Sequence, residues 1–306
     1  MSSIDRAQAI LISHPEVLGS YLKTNPSDQL LPRIAKMGVR GDSLQVASVL
    51  ALATAPFIVS GGTSDASATT YDGSARVFPL RRIAAKVEVN GDIAQNVSMI
   101  NDVMEQQIQA KMIALWNAVG DGLINGSGSD PAPAGLMTLA AENSNSSSNG
   151  GSNLSLAALD AMISLVRPWD GDTPRAFVMN SGRYAKLTAL THAAGFDLTF
   201  LPDRILGKPV AHYMGIPILV SDFIGDAEAG SKTSVFLVVL GTREGEPQLG
   251  GLVWYYNQDT GPGIRVDGPH RSSGSTDLLF STLELNIGFA SLSVGSVLRL
   301  SSVGLT

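Results

Sequence analysis

Gln95-Asn-Val-Ser-Met-Ile-Asn-Asp-Val-Met-Glu-Gln-Gln-Ile-Gln-Ala-Lys-Met-Ile-Ala-Leu-Trp-Asn-Ala-Val119 is followed by Gly120-Asp-Gly-Leu-Ile-Asn-Gly-Ser-Gly-Ser-Asp-Pro-Ala-Pro-Ala-Gly-Leu136. In the first part Ile100, Met104, Ile108, Met112, Leu115 and Val119 recur at helical spacing with no Gly or Pro between them, which predicts one long amphipathic helix. At about 1.5 Å per residue it extends roughly 35 to 40 Å, enough to cross a whole domain. Gly120 and Gly122 are expected to end it, and the Gly, Pro, Asn and Asp residues up to Leu136 to form a turn-rich loop.

The whole chain has 306 residues, 44% of them hydrophobic, which is ample for a core. Only 16% are charged and the net charge is -6, a sparing surface for a soluble monomer, so a large oligomer whose partners cover that surface is expected. The acidic balance argues against tight general binding to DNA or to an anionic membrane, both of which need clustered Lys and Arg. There is no cysteine, hence no disulfide, thiolate nucleophile or cysteine-ligated metal. The N-terminal Met-Ser-Ser-Ile-Asp-Arg lacks a secretion pattern, and the longest apolar run, Leu44 to Val59, is broken by Gln45, Ser48 and Pro56. No membrane span is expected, and synthesis in the cytosol is.

Residues 1–51 read as an arm, with a helical signal from Asp5 to Tyr21 interrupted by Pro15. Gly61 to Gly73 is small and polar, a mobile loop tip flanked by extended structure, and Ala85, Val87 and Val89 alternate with Lys86, Glu88 and Asn90 as in a strand with one wet face. Residues 52–90 therefore read as a two-stranded excursion. Ala140 to Asn153 is Ser/Asn/Gly-rich and is expected to be a flexible insertion. Leu154 to Arg167 has helical spacing, Arg175 to Met179 is a buried-type strand, and Asn180-Ser181 caps a helix reaching about Ala194. Strands follow in Val210 to Ile224, Ser234 to Leu240 and Gly251 to Tyr256, and long strands in Leu278 to Leu300, where Leu283, Leu285, Ile287 and Phe289 alternate.

Sites of chemistry are scarce. Gly225-Asp-Ala-Glu-Ala-Gly-Ser-Lys-Thr233 misplaces the lysine of a phosphate loop and precedes a strand, so it reads as a hairpin turn. Ser20-Tyr-Leu-Lys23 lacks the companion motifs of serine acyl-enzymes, and Asp170-Gly-Asp172 is broken as a calcium loop by Pro174. His14, His192, His212 and His270 show no ligand spacing. Neither a metal, a cofactor nor catalysis is expected. The densest basic cluster is Arg81-Arg82 with Lys86, whose bland reading is a solvated strand face and whose sharper one is contact with an acidic patch on another subunit.

In order, the arm, the hairpin, the spine helix, Asn125-Gly-Ser-Gly-Ser-Asp-Pro-Ala-Pro-Ala-Gly-Leu136, Phe177-Val-Met-Asn180 and Gly215-Ile-Pro-Ile-Leu-Val-Ser-Asp222 resemble the major capsid proteins of tailed bacteriophages. Gly126, Gly128, Pro133 and Gly135 match that family's Asn-Gly-x-Gly-x-x-Pro-x-Gly loop with altered spacing, and Ala290 to Val303 resembles its last strands. The resemblance implies an α+β fold of the Hong Kong 97 type. It assigns residues 1–51 as N-terminal arm, 52–90 as extended loop, 91–135 with 266–306 as peripheral domain (spine about 95–119), and 136–265 as axial domain. It further implies hexamers and pentamers of an icosahedral virion shell around double-stranded DNA, held without sequence-specific contacts, and no enzyme activity. Arg81, Arg82 and Lys86 become candidate intersubunit contacts. The short arm leads us to expect a separate scaffolding protein, beside portal and cement proteins. Encapsulins, bacterial shells that enclose enzymes, share the fold and are the alternative; a hydrolase or transferase using scattered polar residues of 170–265 is the remaining one, and it would need a cleft with perturbed acids that no spacing suggests.

Overall fold

The computed structural model describes residues 28–46, 49–51, 70–71, 76–90, 103–166, 174–203, 207–226, 232–240, 251–261, 263–271, 278–293 and 295–304. The expected helix in residues 5–21, the loop tip 61–73 apart from residues 70–71, the start of the spine before 103 and the Asp170-Gly-Asp172 turn lie outside them.

Helix α1 runs Val103–Asn125, past the glycines expected to stop it. Gly120 and Gly122 lie inside it because neighbours come too close for side chains: a Cβ on Gly120 would collide with the Phe223 ring, and one on Gly122 would lie 3.2 Å from Pro133. Each helical glycine costs about 1 kcal/mol against alanine, and the burial of Leu123 and Ile124 beyond them offsets this. The next turn folds back tightly. Gly128 N donates to Pro133 O at 3.0 Å and Gly135 N to Gly126 O at 2.9 Å, so Gly126 and Gly135 stand backbone against backbone. Helix α2, Leu136–Glu142, follows at once.

The Ser/Asn/Gly segment after it is not a loose insertion. Asn143 is buried and donates to Ser291 Oγ at 3.2 Å, and Ser146–Ser148 pairs in parallel with Arg299–Ser301. Its side chains have nothing to pack, but strand pairing is made by backbone groups, which composition does not reveal.

Helices α3, Leu156–Leu165, and α4, Ser181–Ala193, start at side-chain caps: Ser155 Oγ accepts from Ala158 N at 3.2 Å and Asn180 Oδ1 from Arg183 N at 2.9 Å. The strands in chain order are β1 (Ala35–Val39), β2 (Ser43–Val46), β3 (Val49–Ala51), β4 (Thr70–Tyr71), β5 (Arg76–Pro79), β6 (Arg81–Asn90), β7 (Ser146–Ser148) and β8 (Arg175–Met179). After them come β9 (Thr199–Pro202), β10 (Pro209–Tyr213), β11 (Ile216–Val220), β12 (Lys232–Val239), β13 (Leu252–Asn257), β14 (Arg265–Arg271), β15 (Leu278–Ser291) and β16 (Val297–Gly304).

One sheet has the order β7-β16-β12-β8-β11-β10-β9. Its central strands are apolar on both faces: Ala176, Val178, Phe236 and Val238 turn toward α1 and α2, while Phe177, Met179, Val235 and Leu237 turn toward α3 and α4. Tyr213 OH donates to Asp160 at 2.8 Å, tying β10 to α3, and burial pushes the phenol up to about 12. Strands β11 and β12 lie on opposite sides of β8, so the link Gly225 to Thr233 is a crossover rather than the expected hairpin turn.

The second sheet carries β1-β13-β15-β14, with β6 along the other edge of β15. Leu283, Leu285, Ile287 and Phe289 are all buried, as their alternation predicts. The half formed by β6, β15 and β14 is a wing whose apolar face, Val87, Val89 and Leu283, rests on Leu115 of α1. Two short pairs, β2 with β5 and β3 with β4, flank the segment 52–69.

The sheets cross the boundaries expected for the domains. Strand β16 joins the seven-stranded sheet although 266–306 reads as peripheral, and β13 joins the other although 136–265 reads as axial. Alternation in Leu278 to Leu300 shows that strands are there but not which sheet each one enters. The arm, too, is in part structural: β1 pairs in parallel with β13, and Leu30 and Ile34 are buried.

Candidate functional site

The basic cluster on β6 divides between two faces, because neighbouring strand residues point opposite ways. Arg81 takes the side of Ile83, Ala85 and Val87, and Arg82 and Lys86 take the other. The Arg81 guanidinium donates to Asp130 Oδ1 at 2.8 Å and toward Gly128 O at 3.5 Å, with its Nε buried and unpartnered. It thus pins the glycine turn after α1 to the start of β6. Beside it opens a cavity of about 410 Å³ lined by Arg76, Phe78, Arg81, Pro133, Glu142 and Tyr255. Arg76 closes one wall through Asn143 Oδ1 and, at 3.3 Å, Glu142 O. Tyr255 OH donates to Pro79 O at 3.0 Å, and burial holds this phenol above its ordinary range.

The outer face of the wing follows from register. Arg265 stands opposite Glu284; Lys86 stands opposite Thr282, which has Asp267 on its other side, and Glu88 opposite Phe280, which has His270 on its other side. Arg82 pairs with Glu284, and Lys86 Nζ lies 2.6 Å from Glu88 Oε1 and 4.6 Å from the Phe280 ring centre. The Lys86 ammonium holds the Glu88 carboxyl below its usual range. His270 Nε2 is 3.1 Å from Asp267 Oδ1. Three cations, Arg82, Lys86 and Arg265, meet three anions, Glu88, Glu284 and Asp267, so the face has no field of one sign. Phosphate binding needs uncompensated cations and is not what this face offers. It suits a protein surface of similarly mixed charge.

At the other end of the molecule, residues 28–33 are sewn to the seven-stranded sheet. Gln29 N donates to Val220 O at 3.1 Å, Val220 N to Gln29 Oε1 at 3.2 Å, and Arg33 pairs with Asp203. The Asp28 carboxylate accepts from Leu30 N at 3.0 Å, yet desolvation raises its pKa above the ordinary value.

Among the described residues no three His, Asp or Glu side chains gather as metal ligands, and no helix is long and apolar enough to cross a membrane. His192 pairs with Asp197 at 2.8 Å, and His212 Nδ1 lies 2.9 Å from Val210 O. What sequence reasoning missed here is the division of the cluster: Arg81 braces its own chain. Strict alternation from Arg81 to Val89 carried that signal.

The phage capsid family model matches residues 44–239, more than half of the chain. No curated protein matches this sequence. Among solved structures, an encapsulin complex from Synechococcus elongatus superposes with a TM-score of 0.70 at 18% identity, covering 95% of this chain and 96% of that one. The capsid of a native GTA particle gives 0.64 at 15% identity over 90% of both chains. Microbacterium phage Oxtober96 gives 0.61 at 13%, covering 99% of this chain and 100% of the other. At these identities the likeness is one of fold, and it is the expected α+β fold of Hong Kong 97 type.

Proposed function

The chain belongs to the phage capsid family and is a major capsid protein with the Hong Kong 97-type fold, and from that premise we propose how its parts build the shell. Many copies assemble into one capsid, and the virion is where the protein resides. In our reading the copies form hexamers and pentamers, the segment 52–90 is the extended loop that lies over a neighbour, and α1 with the wing is the peripheral part. The axial part is the seven-stranded sheet with α3 and α4, and includes β16. Arg82 and Lys86 contribute to an intersubunit contact on the outer wing face, while Arg81 braces the loop foot behind them.

The observation that carries this reading is the wing: a strand trio resting on the spine helix, with a polar face of balanced charge turned away from the core. The enclosed cargo is double-stranded DNA, held without sequence readout; the net charge of -6 and the mixed wing face favour loose containment over a grip on phosphates. The chain is made in the host cytoplasm, has no catalytic role, and assembles with separate scaffolding, portal and cement proteins.

The likeness to an encapsulin favours a second reading, a bacterial compartment filled with protein. Electron microscopy and mass analysis of particles from cells expressing the chain with its genomic neighbours separate the two. Shells filled with DNA through a portal support the phage reading; shells filled with one enzyme and lacking a portal overturn it.

A further inference from the structure

In an asparagine followed by glycine the backbone nitrogen of the second residue reaches the side chain of the first most readily, because glycine carries no Cβ to block the approach. The chain has three such pairs, Asn90-Gly91, Asn125-Gly126 and Asn149-Gly150. Gly91 lies outside the described residues, and the fold treats the other two in opposite ways. At Asn125 the pair is locked. Its Nδ2 donates to Asp121 Oδ1 at 2.7 Å and to Phe223 O at 3.1 Å, and Gly126 N donates to Gly122 O at 3.1 Å. Backbone atoms of Pro133, Gly122 and Gly135 crowd Gly126, so the pair cannot rearrange unless the turn between α1 and α2 opens.

Asn149-Gly150 stands in the turn after β7, with Asn149 half-buried and Gly150 exposed. Ser152 N donates to Asn149 O at 3.0 Å, and Gly150 and Gly151 have φ of 62° and 83°, a left-handed pair that glycine adopts freely. Nothing lies within 4 Å of where a Gly150 Cβ would stand, so this peptide has room to rotate. Gly150 N donates to Ser148 Oγ at 3.2 Å, an exposed bond that water replaces at little cost. Lys232 Nζ comes within 3.1 Å of where a Gly151 Cβ would stand, which sets positive charge beside the anion formed when Gly150 N loses its proton. The Asn149 side chain also fastens the turn, since its Nδ2 donates to Ser152 O and, at 3.2 Å, to Asn153 O. That turn holds β7 beside β16 through Asn149 N to Ser301 O and Gly151 N to Ser302 O, both at 2.9 Å.

We propose that Asn149-Gly150 is a self-modification site, where the chain deamidates with water as its co-reactant, and that the product loosens the β7 edge. Gly150 N gives its proton to solvent and attacks Asn149 Cγ. A cyclic imide closes as the Cγ–Nδ2 bond breaks, and the departing nitrogen takes up a proton and leaves as ammonia. Water then opens the imide at either carbonyl, leaving an aspartate or an iso-aspartate; nothing is oxidised or reduced. The new carboxylate has no proton to donate and faces the Ser152 and Asn153 carbonyl oxygens, so two bonds give way to repulsion. The site belongs to the subunit and does not depend on the shell reading.

The test holds the purified full chain at mildly alkaline and mildly acid pH and follows each pair by peptide mapping, with fragmentation that distinguishes iso-aspartate. The peptide carrying Asn149 is expected to convert about tenfold or more faster than the one carrying Asn125, which reacts only when its turn opens, and to convert faster at the alkaline pH. In the urea-unfolded chain the two convert at like rates, since a small residue, Gly151 or Ser127, follows each pair. An Asn149 that stays intact in the folded chain, or converts no faster than Asn125, overturns the site. Asn149→Asp carries the product's charge from the start, and amide hydrogen exchange over residues 149–152 is expected to run about tenfold faster than in wild type, with β8 and β12 unchanged. Equal exchange overturns the loosening. Should that variant fail to fold, exchange in aged, modified wild-type chain decides it by the same criterion.

Discussion

Replacing Gly126 by alanine tests the tight turn between α1 and α2. Its φ is ordinary, so in open surroundings Ala would stabilise by about 0.4–1 kcal/mol, through lost freedom of the unfolded chain. Here the added Cβ meets the carbonyl oxygens of Pro133 and Gly122 and stands 3.1 Å from Gly135 N, all backbone atoms that cannot rotate away. Relief requires separating the two arms of the turn, which strains the Gly126 N to Gly122 O bond of 3.1 Å and the Gly135 N to Gly126 O bond of 2.9 Å. Overpacking of this kind costs roughly 1–3 kcal/mol. At about 2–4 °C per kcal/mol, a loss near 2 kcal/mol lowers Tm by roughly 4–8 °C. Gly182→Ala is the control, since it lies in α4 with only Asn180 Oδ1, at 3.8 Å, within reach, and it gains about 0.5–1 kcal/mol. Thermal and urea unfolding of purified subunits report both. A Gly126→Ala chain as stable as wild type would refute the close-packed turn.

Other perturbations bear on the two ends of the molecule. Burial raises the Asp28 pKa, so folding binds a proton more readily between the unfolded value near 3.8 and the folded value above it, and stability from this group falls as pH rises through that window. Wild type should therefore gain on Asp28→Asn as pH falls through that window, with no further change below it; a pH-independent difference in Tm contradicts this. Arg82→Glu with Lys86→Glu changes exposed pairs, so subunit stability moves by about 1 kcal/mol or less while assembly yield falls; sedimentation and denaturation together check it, and unaltered assembly counts against the wing contact. Deleting residues 61–73 is expected to spare subunit folding and impair shell formation, with circular dichroism and negative-stain images as readouts.

Much of the architecture was legible in local pattern. Buried alternation in Leu283 to Phe289, the apolar run Arg175 to Met179 and the Asn180 cap each state their element within a few residues, because each depends on neighbours in sequence. Errors arose where distant partners decide. Gly120 and Gly122 read as a stop until Phe223 and Pro133 are seen against them. Ser146–Ser148 read as slack until β16 supplies its hydrogen bonds, and β16 itself could not be assigned to a sheet. Of the candidate contact residues the sequence located the strand, while the inward turn of Arg81 depends on which face of β6 meets α1. The apolar edge at β9 gave no advance sign, since the five residues between Asp197 and Asp203 resemble a loop.

Cryo-electron microscopy of particles assembled from this chain bears on the central claim more directly than any variant. The account predicts a closed icosahedral shell in which residues 52–90 of each copy overlie a neighbour and α1 supports the wing beneath. A chain that stays monomeric under every assembly condition, or a shell in which 52–90 fold back on their own subunit, contradicts it.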